Sequence, residues 1–507
     1  MHFLLNDKKE LMHDNQLLMI AKLVNAKGIQ FVASILKDKL PNELNKDEFI
    51  ILKFSQENKL FRLENNSQSS HDGMKRGVGA GAFSCHTAGM KKQPRPQPTR
   101  SKLSIFRQRC NLIPSHLVSQ LARDTGAQKK SRSFKPWSHV VSLLFAQFTH
   151  AVGLNDVCDA LRLHSGPLSA IRAATPPSRN NLSHANKVRP AALAEQLFWK
   201  TLEHLQSVSP AFGAGRVGKR LAHRFKTAIH VVDATTIQLV AACLDWARHR
   251  RRKAAAKCHL RLDLHSFLPR FALIDTARDN DAKRAREVCA GIRAGEIVLF
   301  DKAYVDFDHL RDLDAHGIWW VTRAKDNLQF KVVKRRIKKP EGKILRDDEI
   351  LLTGPQSRAD YPRRLRRLVA VVAVAGVERE MVFLTNHFAW AASTVAELYR
   401  CRWQIEVFFK QIKQTLQLAD FLGNSARAVR WQVWTALLVY VLLRYQAFLS
   451  QWGSSFVRLW TCVRAGLWLK LDGVALLKSY GTAGGDFRLL GQPEAAYLPG
   501  LRPKLVG

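Results

Sequence analysis

The sequence predicts an α/β protein in which a helical region precedes a mixed β-sheet. Residues 105–206 have the apolar spacing of packed helices, as in HVVSLLFAQFTHAVGLNDVCDALRL at 139–163. At residue 227 the pattern changes, and TAIHVVDATTIQLV at 227–240 is β-branched and apolar, as a buried strand is. A chain of 507 residues is long enough for two to four domains and at least one large core.

The charge of the chain indicates a polyanionic partner. Lys and Arg number 80 against 42 Asp and Glu, a formal charge of +38, and nucleic acid is the usual partner of such a chain. The longest apolar run, Val433–Leu443, ends at Arg444 and is better interpreted as a buried helix than as a membrane span. The eight cysteines include no CxxC pair, and the amino terminus does not resemble a signal peptide. We therefore expect a cytoplasmic protein without a membrane partner.

The first 89 residues differ in composition from the rest. Lys dominates Arg there, and four of the six methionines lie there. A Gly/Ser-rich linker follows at 67–83, so we expect 1–89 to be an appended leader and linker, with the rest of the protein starting near Met90. A genuine small amino-terminal domain is the alternative.

Residues 90–206 are predicted to form a helical amino-terminal DNA-binding domain. In PPSRNNLSHANKVRP at 176–190, Ser, Asn and Arg cluster where a helix would begin. Short helices around a polar, basic turn suit a helix-turn-helix-like DNA reader. An ordinary helical bundle fits the same pattern about equally well.

The next part of the chain has the element order of an RNase H-like fold. Strands are predicted at 227–240, 256–267 and 270–279, then a helix at 281–295 closed by Gly295, then a strand at 296–307. We predict a mixed five-stranded sheet with helices, its first part at 207–324. The basic segment at 247–257 is either a DNA-phosphate contact or a solvated hairpin tip. Its candidate contact residues are Arg250, Arg251, Arg252 and Lys253.

Two acidic residues interrupt these strands, Asp233 in the first and Asp301 in the last. A buried acid is costly unless it is paired or binds a metal ion. For one such residue a core ion pair is the more common explanation. Two of them favour a metal site.

A β-rich insertion is predicted at 325–385, before the second part of the core at 386–450 and a helical tail at 451–507. The second part of the core includes LYRCRWQIEVFFKQIKQTL at 398–416, which we interpret as one helix with two stripes. Its apolar stripe holds Leu398, Ile405, Phe408, Phe409, Ile412 and Leu416. Its polar stripe, within an arc of roughly 80°, holds Tyr399, Arg402, Glu406, Lys410 and Lys413. One carboxylate among cations suits a metal ligand beside bound phosphates, and a solvated face with i,i+4 ion pairs is the alternative.

On these residues the sequence resembles the DDE transposases of bacterial insertion sequences, in the large family numbered four. The signature of that family is Y-(2)-R-(3)-E-(6)-K. Tyr399, Arg402, Glu406 and Lys413 match it without gap or substitution. VVDATT around Asp233 and LFDKAY around Asp301 resemble its two other acidic motifs. The resemblance covers about residues 103–480 and leaves out 1–89.

The resemblance implies a reaction and its cofactors. Asp233, Asp301 and Glu406 are implied as catalytic ligands of two Mg²⁺ ions, with Mn²⁺ as a substitute. The implied activity is binding of terminal inverted repeats, cutting of the element ends by hydrolysis and transesterification, and joining of the 3′-OH to target DNA. The implied partners are double-stranded DNA and a second protomer in a synaptic complex, in association with the nucleoid.

The resemblance also implies DNA contacts around the acids. Arg402 and Lys413 would grip phosphates, and Tyr399 would hydrogen-bond a phosphate. Trp403 is a candidate to hold a base turned out of the stack, with Trp390 and the Trp319–Trp320 pair as other candidates. Two alternatives stay open: an RNase H-like nuclease without strand transfer, and a DNA-binding remnant that has lost catalysis.

Overall fold

The computed structural model describes residues 51–52, 63–64, 98–128, 134–214, 225–250, 253–276, 281–374, 377–415 and 421–480. The chain divides into two compact units, Met1–Lys92 and Gln93–Gly507. In the first unit, strands β1 (Ile51–Leu52) and β2 (Leu63–Glu64) pair antiparallel. The rest of the predicted leader lies outside the described residues, so its appended character stays a prediction.

The second unit begins with a helical region, in agreement with the sequence. Its longer helices bury apolar faces, and in the third of them every residue from Ser138 to Phe148 is buried. That helix starts at a proline, which is tolerated in the first turn because its missing N–H needs no partner there. The helices are α1 (Ile105–Asn111), α2 (Leu117–Asp124), α3 (Pro136–Thr149), α4 (Leu154–Leu163), α5 (Ser165–Ser169), α6 (Arg179–Val188), α7 (Ala192–Val208) and α8 (Pro210–Ala214).

A mixed sheet follows, and its centre has the predicted RNase H-like arrangement. Its strands are β3 (Ile229–Leu239), β4 (Arg248–Arg250), β5 (Lys253–Asp263), β6 (Leu268–Thr276), β7 (Ile297–Phe300) and β8 (Trp319–Arg323). The spatial order is β6–β5–β3–β7–β8, and the short β4 also pairs with β5. Strands β3, β7 and β8 are parallel, whereas β5 and β6 run antiparallel to their neighbours. The predicted fold class is therefore confirmed.

The β-rich segment between Asp301 and Glu406 extends this sheet. Its strands are β9 (Phe330–Arg335), β10 (Ile344–Leu352), β11 (Leu365–Val374) and β12 (Val377–Thr385), with the short helix α12 (Pro355–Asp360) between β10 and β11. Strand β12 pairs antiparallel with β8, so β12, β11, β10 and β9 continue the sheet to ten strands. The inserted strands and the core thus share one hydrogen-bonded sheet.

A long apolar helix forms the centre of the second unit. The last helices are α13 (Ala392–Cys401), α14 (Gln404–Lys410), α15 (Ala426–Ser450), α16 (Phe456–Ala465) and α17 (Gly473–Ser479). Every residue of α15 from Trp431 to Leu443 is buried, against α3, α6 and α7 among others. Helix α15 is long and apolar enough to cross a membrane, but 78% of its most apolar 18-residue stretch is buried inside the fold. Burial on all sides identifies a core helix, as the sequence predicted.

Three local predictions were wrong at their boundaries. The helix predicted at 281–295 is α10 (Asp281–Cys289), and Gly291 beyond its end has φ +77°, which L-residues rarely adopt. The strand predicted at 296–307 stops at Phe300, because a 3₁₀ turn (Lys302–Tyr304) and helix α11 (Phe307–Ala315) follow Asp301. In the basic segment at 247–257, β4 and β5 form the hairpin that one of the two interpretations expected, with Arg250 paired to Lys253, but Ala254–Ala256 are buried strand residues. The short helix α9 (Leu244–Ala247) precedes this hairpin.

The single α-helix predicted at 398–416 was also wrong. Helix α13 ends at Cys401 and α14 begins at Gln404, and hydrogen bonds from residue i to i−3 tighten the backbone between them. The segment Gln411–Thr415 is then π-helical. Short 3₁₀ and π segments within helices often occur at functional sites. The predicted apolar stripe is nonetheless buried from Leu398 to Ile412, and Leu416 lies outside the described residues.

Candidate active site

Two carboxylates leave the sheet side by side. Strands β3 and β7 are parallel, and Val232 pairs with Phe300. The next residue on each strand is an acid, Asp233 on β3 and Asp301 after β7. Because neighbouring strands lie about 4.8 Å apart, this register places the two acids next to each other. The structure therefore brings together two residues that are far apart in the sequence.

Asp233 lies where β3 emerges from the core. Residues 229–232 are buried, whereas the Asp233 side chain is 19% exposed. Its Oδ1 accepts a hydrogen bond from the Ala234 N–H at 2.7 Å. Burial raises the pKa of Asp233 to about 6; nearby Asp301 and Glu406 add to that rise, and Arg402 opposes it. Asp301 and Glu406 thus both lie close enough to Asp233 to disfavour its charged form.

Arg402 connects the strand to the helix that bears the third acid. Its Nη1 donates to Asp233 Oδ2 at 3.0 Å, and its Nη2 donates to Glu406 Oε1 at 2.9 Å. The apolar side of α14 is buried, which turns Glu406 outward on the opposite side. The Arg402 and Asp233 side chains are 12% and 19% exposed, whereas Glu406 is 37% exposed, so the pair with Asp233 is the better shielded of the two.

The donor chemistry of the site fits a hard divalent cation. Three carboxylates supply only oxygen ligands, which Mg²⁺ prefers. Among the described residues, however, no three acidic, histidine or cysteine side chains lie close enough together to hold a metal ion. Arg402 lies between Asp233 and Glu406, so it must release at least one of them before both can bind the same ion.

Lys413 is tied to the same strand. Its Nζ donates to the Thr236 carbonyl oxygen at 2.6 Å, three residues after Asp233. Burial lowers the pKa of Lys413. The last residue of the signature thus docks the π-helical turn onto β3.

The aromatic candidates differ sharply in exposure. The Tyr399 side chain is 8% exposed, its ring centroid lies 4.8 Å from that of Phe383, and burial raises its pKa to about 12. Trp403 is 55% exposed beside Arg402, whereas Trp320 is fully buried and cannot contact DNA. Trp319 and Trp390 are half-buried and pack around His387. Trp403 is therefore the accessible aromatic ring of this group.

The predicted basic contacts are only partly described. Arg250 ends β4 and Lys253 begins β5. Arg251 and Arg252 lie outside the described residues.

Sequence reasoning missed two supporting groups. Buried His259 and Tyr304 are hydrogen-bonded to each other, with His259 Nδ1 2.8 Å from Tyr304 Oη. The alternation of Lys257, His259 and Arg261 along a predicted strand was a signal for a polar face. Arg366, 2% exposed on β11, forms two hydrogen bonds with Asp347 and donates to the Trp390 carbonyl oxygen just before α13.

Comparison with known proteins gives matches over most of the chain. Residues 224–442 match the family described as transposase DDE domain. Residues 101–171 match a domain of unknown function, and residues 1–65 match a family of uncharacterised proteins conserved in bacteria.

Three curated relatives are named as transposases. The protein y4zB of Sinorhizobium fredii is 32% identical over 278 residues, which cover 54% of this chain and 73% of that protein. A protein for insertion sequence element IS5377 of Geobacillus stearothermophilus is 27% identical, over 50% of this chain and 74% of its own length. Transposase InsG for insertion sequence element IS4 of Escherichia coli K12 is 25% identical, over 36% of this chain and 42% of its own length.

Proposed function

The chain belongs to the DDE transposases of bacterial insertion sequences, and we propose that it cuts the ends of its element and joins them to target DNA. It is an enzyme that acts on DNA. The observation that supports the finer proposal is the register Val232–Phe300, which sets Asp233 beside Asp301, together with the Arg402 bridge to Glu406.

The proposed reaction is a series of phosphoryl transfers. Water attacks a phosphorus atom at the element end, and the DNA 3′ oxygen leaves as a 3′-OH. That 3′-OH attacks the opposite strand to close a hairpin, a second water opens the hairpin, and the freed 3′-OH attacks target DNA. Each step exchanges one P–O bond for another, so no covalent enzyme intermediate is needed.

Asp233, Asp301 and Glu406 would hold two divalent cations, Mg²⁺ by preference and Mn²⁺ as a substitute. When bound, such ions activate the attacking oxygen and stabilise the charge on the leaving oxygen. The contribution of the chain itself is to orient the three carboxylates, two through strand register and one through helix α14.

The residues around the acids would bind the DNA backbone. Arg402, once it releases a carboxylate, offers a planar fork for a phosphate, and Lys413 offers a point charge. The exposed ring of Trp403 offers a surface on which an unpaired base can stack. Tyr399 would hydrogen-bond a phosphate through its hydroxyl group, although the residue is only 8% exposed. Arg250, Arg251, Arg252 and Lys253 would add phosphate contacts.

The active assembly would be two protomers on two element ends in the bacterial cytoplasm, associated with the nucleoid. Terminal inverted repeats are the proposed recognition sequence, and residues 90–206 are the proposed recognition domain. Helix α6 supports this proposal, because its exposed residues Arg179, Asn180, Asn181 and His184 are all able to contact bases.

The substitution Glu406→Gln tests the site. It removes a charge but keeps the size of the side chain, so we expect DNA binding to persist while cleavage falls on the order of 10³-fold or more. Cleavage of a labelled element end in Mg²⁺ and binding in a gel-shift assay are the two measurements. Glu380→Gln, an exposed glutamate on β12, is the matched control and should cut normally.

Three other outcomes separate the alternatives. Normal cutting by the Glu406→Gln variant means that the site is wrongly assigned. Cutting by the wild-type protein without joining of the 3′-OH to a second DNA indicates a nuclease. Binding by the wild-type protein without any cutting indicates a remnant that has lost catalysis.

A further inference from the structure

A buried hydrogen bond lies behind the two aspartates, on the other face of the sheet. Residues that are opposite each other in a strand pair share a face, and neighbours along a strand alternate between faces. Asp233 is opposite Leu260, whereas Ala234 is opposite His259. His259 therefore projects from the face that Asp233 does not use. Its side chain is 1% exposed.

The partner of this histidine is in the turn that begins at Asp301. The 3₁₀ turn Lys302–Tyr304 has Asp301 at its start, and the Tyr304 N–H donates to the Asp301 carbonyl oxygen at 3.0 Å. The Tyr304 side chain is buried, and its Oη lies 2.8 Å from His259 Nδ1. The position of Tyr304 is thus linked directly to the backbone of Asp301.

A third element, helix α10, contacts the strand that carries His259. Lys257 shares the face of His259 on β5, and its Nζ donates to Asp281 Oδ1 at 2.6 Å. That same oxygen lies 3.8 Å from His259 Nδ1. Because Asp281 is the first residue of α10, the cluster joins β5, α10 and the Asp301 turn.

We infer that His259 and Tyr304 are positioning residues that hold Asp301 beside Asp233 and thereby set the affinity of the site for divalent cations. Strand pairing holds the chain only up to Phe300, where β7 ends, so Asp301 is held by pairing on its amino-terminal side alone. The His259–Tyr304 hydrogen bond fixes the turn that follows. This inference rests on the proposed function, in which the aspartates share cations.

Tyr304→Phe removes the hydroxyl group and keeps the ring. Loss of a supporting hydrogen bond behind metal ligands typically weakens metal binding or activity about 10- to 100-fold. We expect a shift of that size in the affinity of the full-length, DNA-free protein for Mn²⁺, measured by calorimetry. The Mg²⁺ concentration for half-maximal cleavage of an element end should rise in parallel, while DNA binding stays unchanged.

Tyr361→Phe is the matched control. Tyr361 is equally buried, and its hydroxyl donates to Asp314 Oδ2 at 3.1 Å, among residues that do not include the three acids. The Tyr361→Phe variant should lose about as much thermal stability as Tyr304→Phe, but its Mn²⁺ affinity should not change. His259→Leu should reproduce the Tyr304→Phe effect, and the double variant should be no worse than the more severe single variant, since both act through one hydrogen bond.

The outcomes are separable. Unchanged Mn²⁺ affinity in Tyr304→Phe, or an equal loss in Tyr361→Phe, overturns the inference, as does a wild-type protein that binds no Mn²⁺. If the wild-type protein binds Mn²⁺ but cuts no DNA, the proposed function fails. In that case, weaker Mn²⁺ binding by Tyr304→Phe still supports the positioning role.

Discussion

The Arg402 side chain connects two segments that are distant in the sequence, strand β3 and helix α14. It lies 169 residues from Asp233 in the sequence and donates to both Asp233 and Glu406. A guanidinium group can serve two carboxylates at once because its donors form a rigid planar fork. A lysine at this position would satisfy the charge but not the geometry. The arginine of the signature therefore organises the acids, and under the proposed function it would also contact DNA.

Metal binding should depend on pH through Asp233. Burial raises its pKa to about 6, so the folded protein keeps this proton at pH values where an ordinary aspartate has lost it. A metal ligand must be deprotonated. We expect Mn²⁺ affinity, measured by calorimetry, to fall about tenfold per pH unit below pH 6 and to level off above it. The Asp233→Asn variant should bind Mn²⁺ weakly and without this pH dependence. Equal Mn²⁺ affinity of the wild-type protein at pH 5 and pH 7 would contradict the role of Asp233 as a metal ligand.

A buried arginine connects the β-rich insertion to the segment that leads into the Glu406 helix. Arg366 on β11 donates to both Asp347 oxygens, at 2.9 and 2.7 Å, and its Nη1 donates to the Trp390 carbonyl oxygen at 2.6 Å. Trp390 lies just before α13, which leads into the Glu406 helix. The insertion thus supports the start of the element that delivers the third acid.

Arg366→Lys should destabilise the protein strongly. Lysine cannot supply the donors that serve Asp347 and the backbone together, and breaking a buried pair costs about 3–5 kcal/mol. Urea unfolding would measure this loss in the free energy of unfolding. Arg364→Lys should cost about 1 kcal/mol or less, because the Arg364 side chain is 58% exposed and its buried partner Glu349 keeps a second ion pair with Arg336. Similar losses of unfolding free energy in the two variants would show that the Arg366–Asp347 pair stabilises the protein no more than the Arg364–Glu349 pair does.

On the scale of the whole molecule, burial or partial burial favours the neutral form of five of the described histidines. Burial is the largest cause of a lowered pKa at each of them. The pKa falls to about 3 at His139 and to about 4 at His259, His309 and His387, and it also falls at His230. His139, for example, packs inside α3 with Nε2 2.8 Å from Asn186 Oδ1. Protonation of such a ring favours the unfolded chain, where it is solvated.

Folding stability should therefore decrease in acid. Because the folded pKa values lie below the ordinary 6.5, unfolded chains bind protons that folded ones do not. The contribution of these histidines to stability is complete above pH 6.5 and is lost as pH falls from there towards 4 and 3. The raised pKa values of Asp233 and Glu195 act in the opposite sense, but they are two groups against five histidines. We expect a lower urea midpoint at pH 5 than at pH 7.5 in DNA-free protein, and equal midpoints would contradict this reasoning.

The sequence by itself determined the family of the protein and predicted which residues are catalytic. Strand patterns around Asp233 and Asp301 predicted the sheet, because alternation and β-branching are local properties. Helical spacing over 398–416 predicted the apolar residues, which are buried as expected, but Tyr399, which was predicted on the polar stripe, is buried against Phe383. The boundaries failed where turns such as Lys302–Tyr304 depend on contacts with other parts of the chain.

Only the tertiary structure decided how these residues meet. The parallel register of β3 and β7, the Arg402 bridge, and the continuity of the inserted strands with the core depend on segments that are remote in sequence. The hydrogen bond between His259 and Tyr304 likewise joins positions 45 residues apart. Local periodicity cannot predict such contacts, because it reports which face of an element is buried and not which partner covers that face.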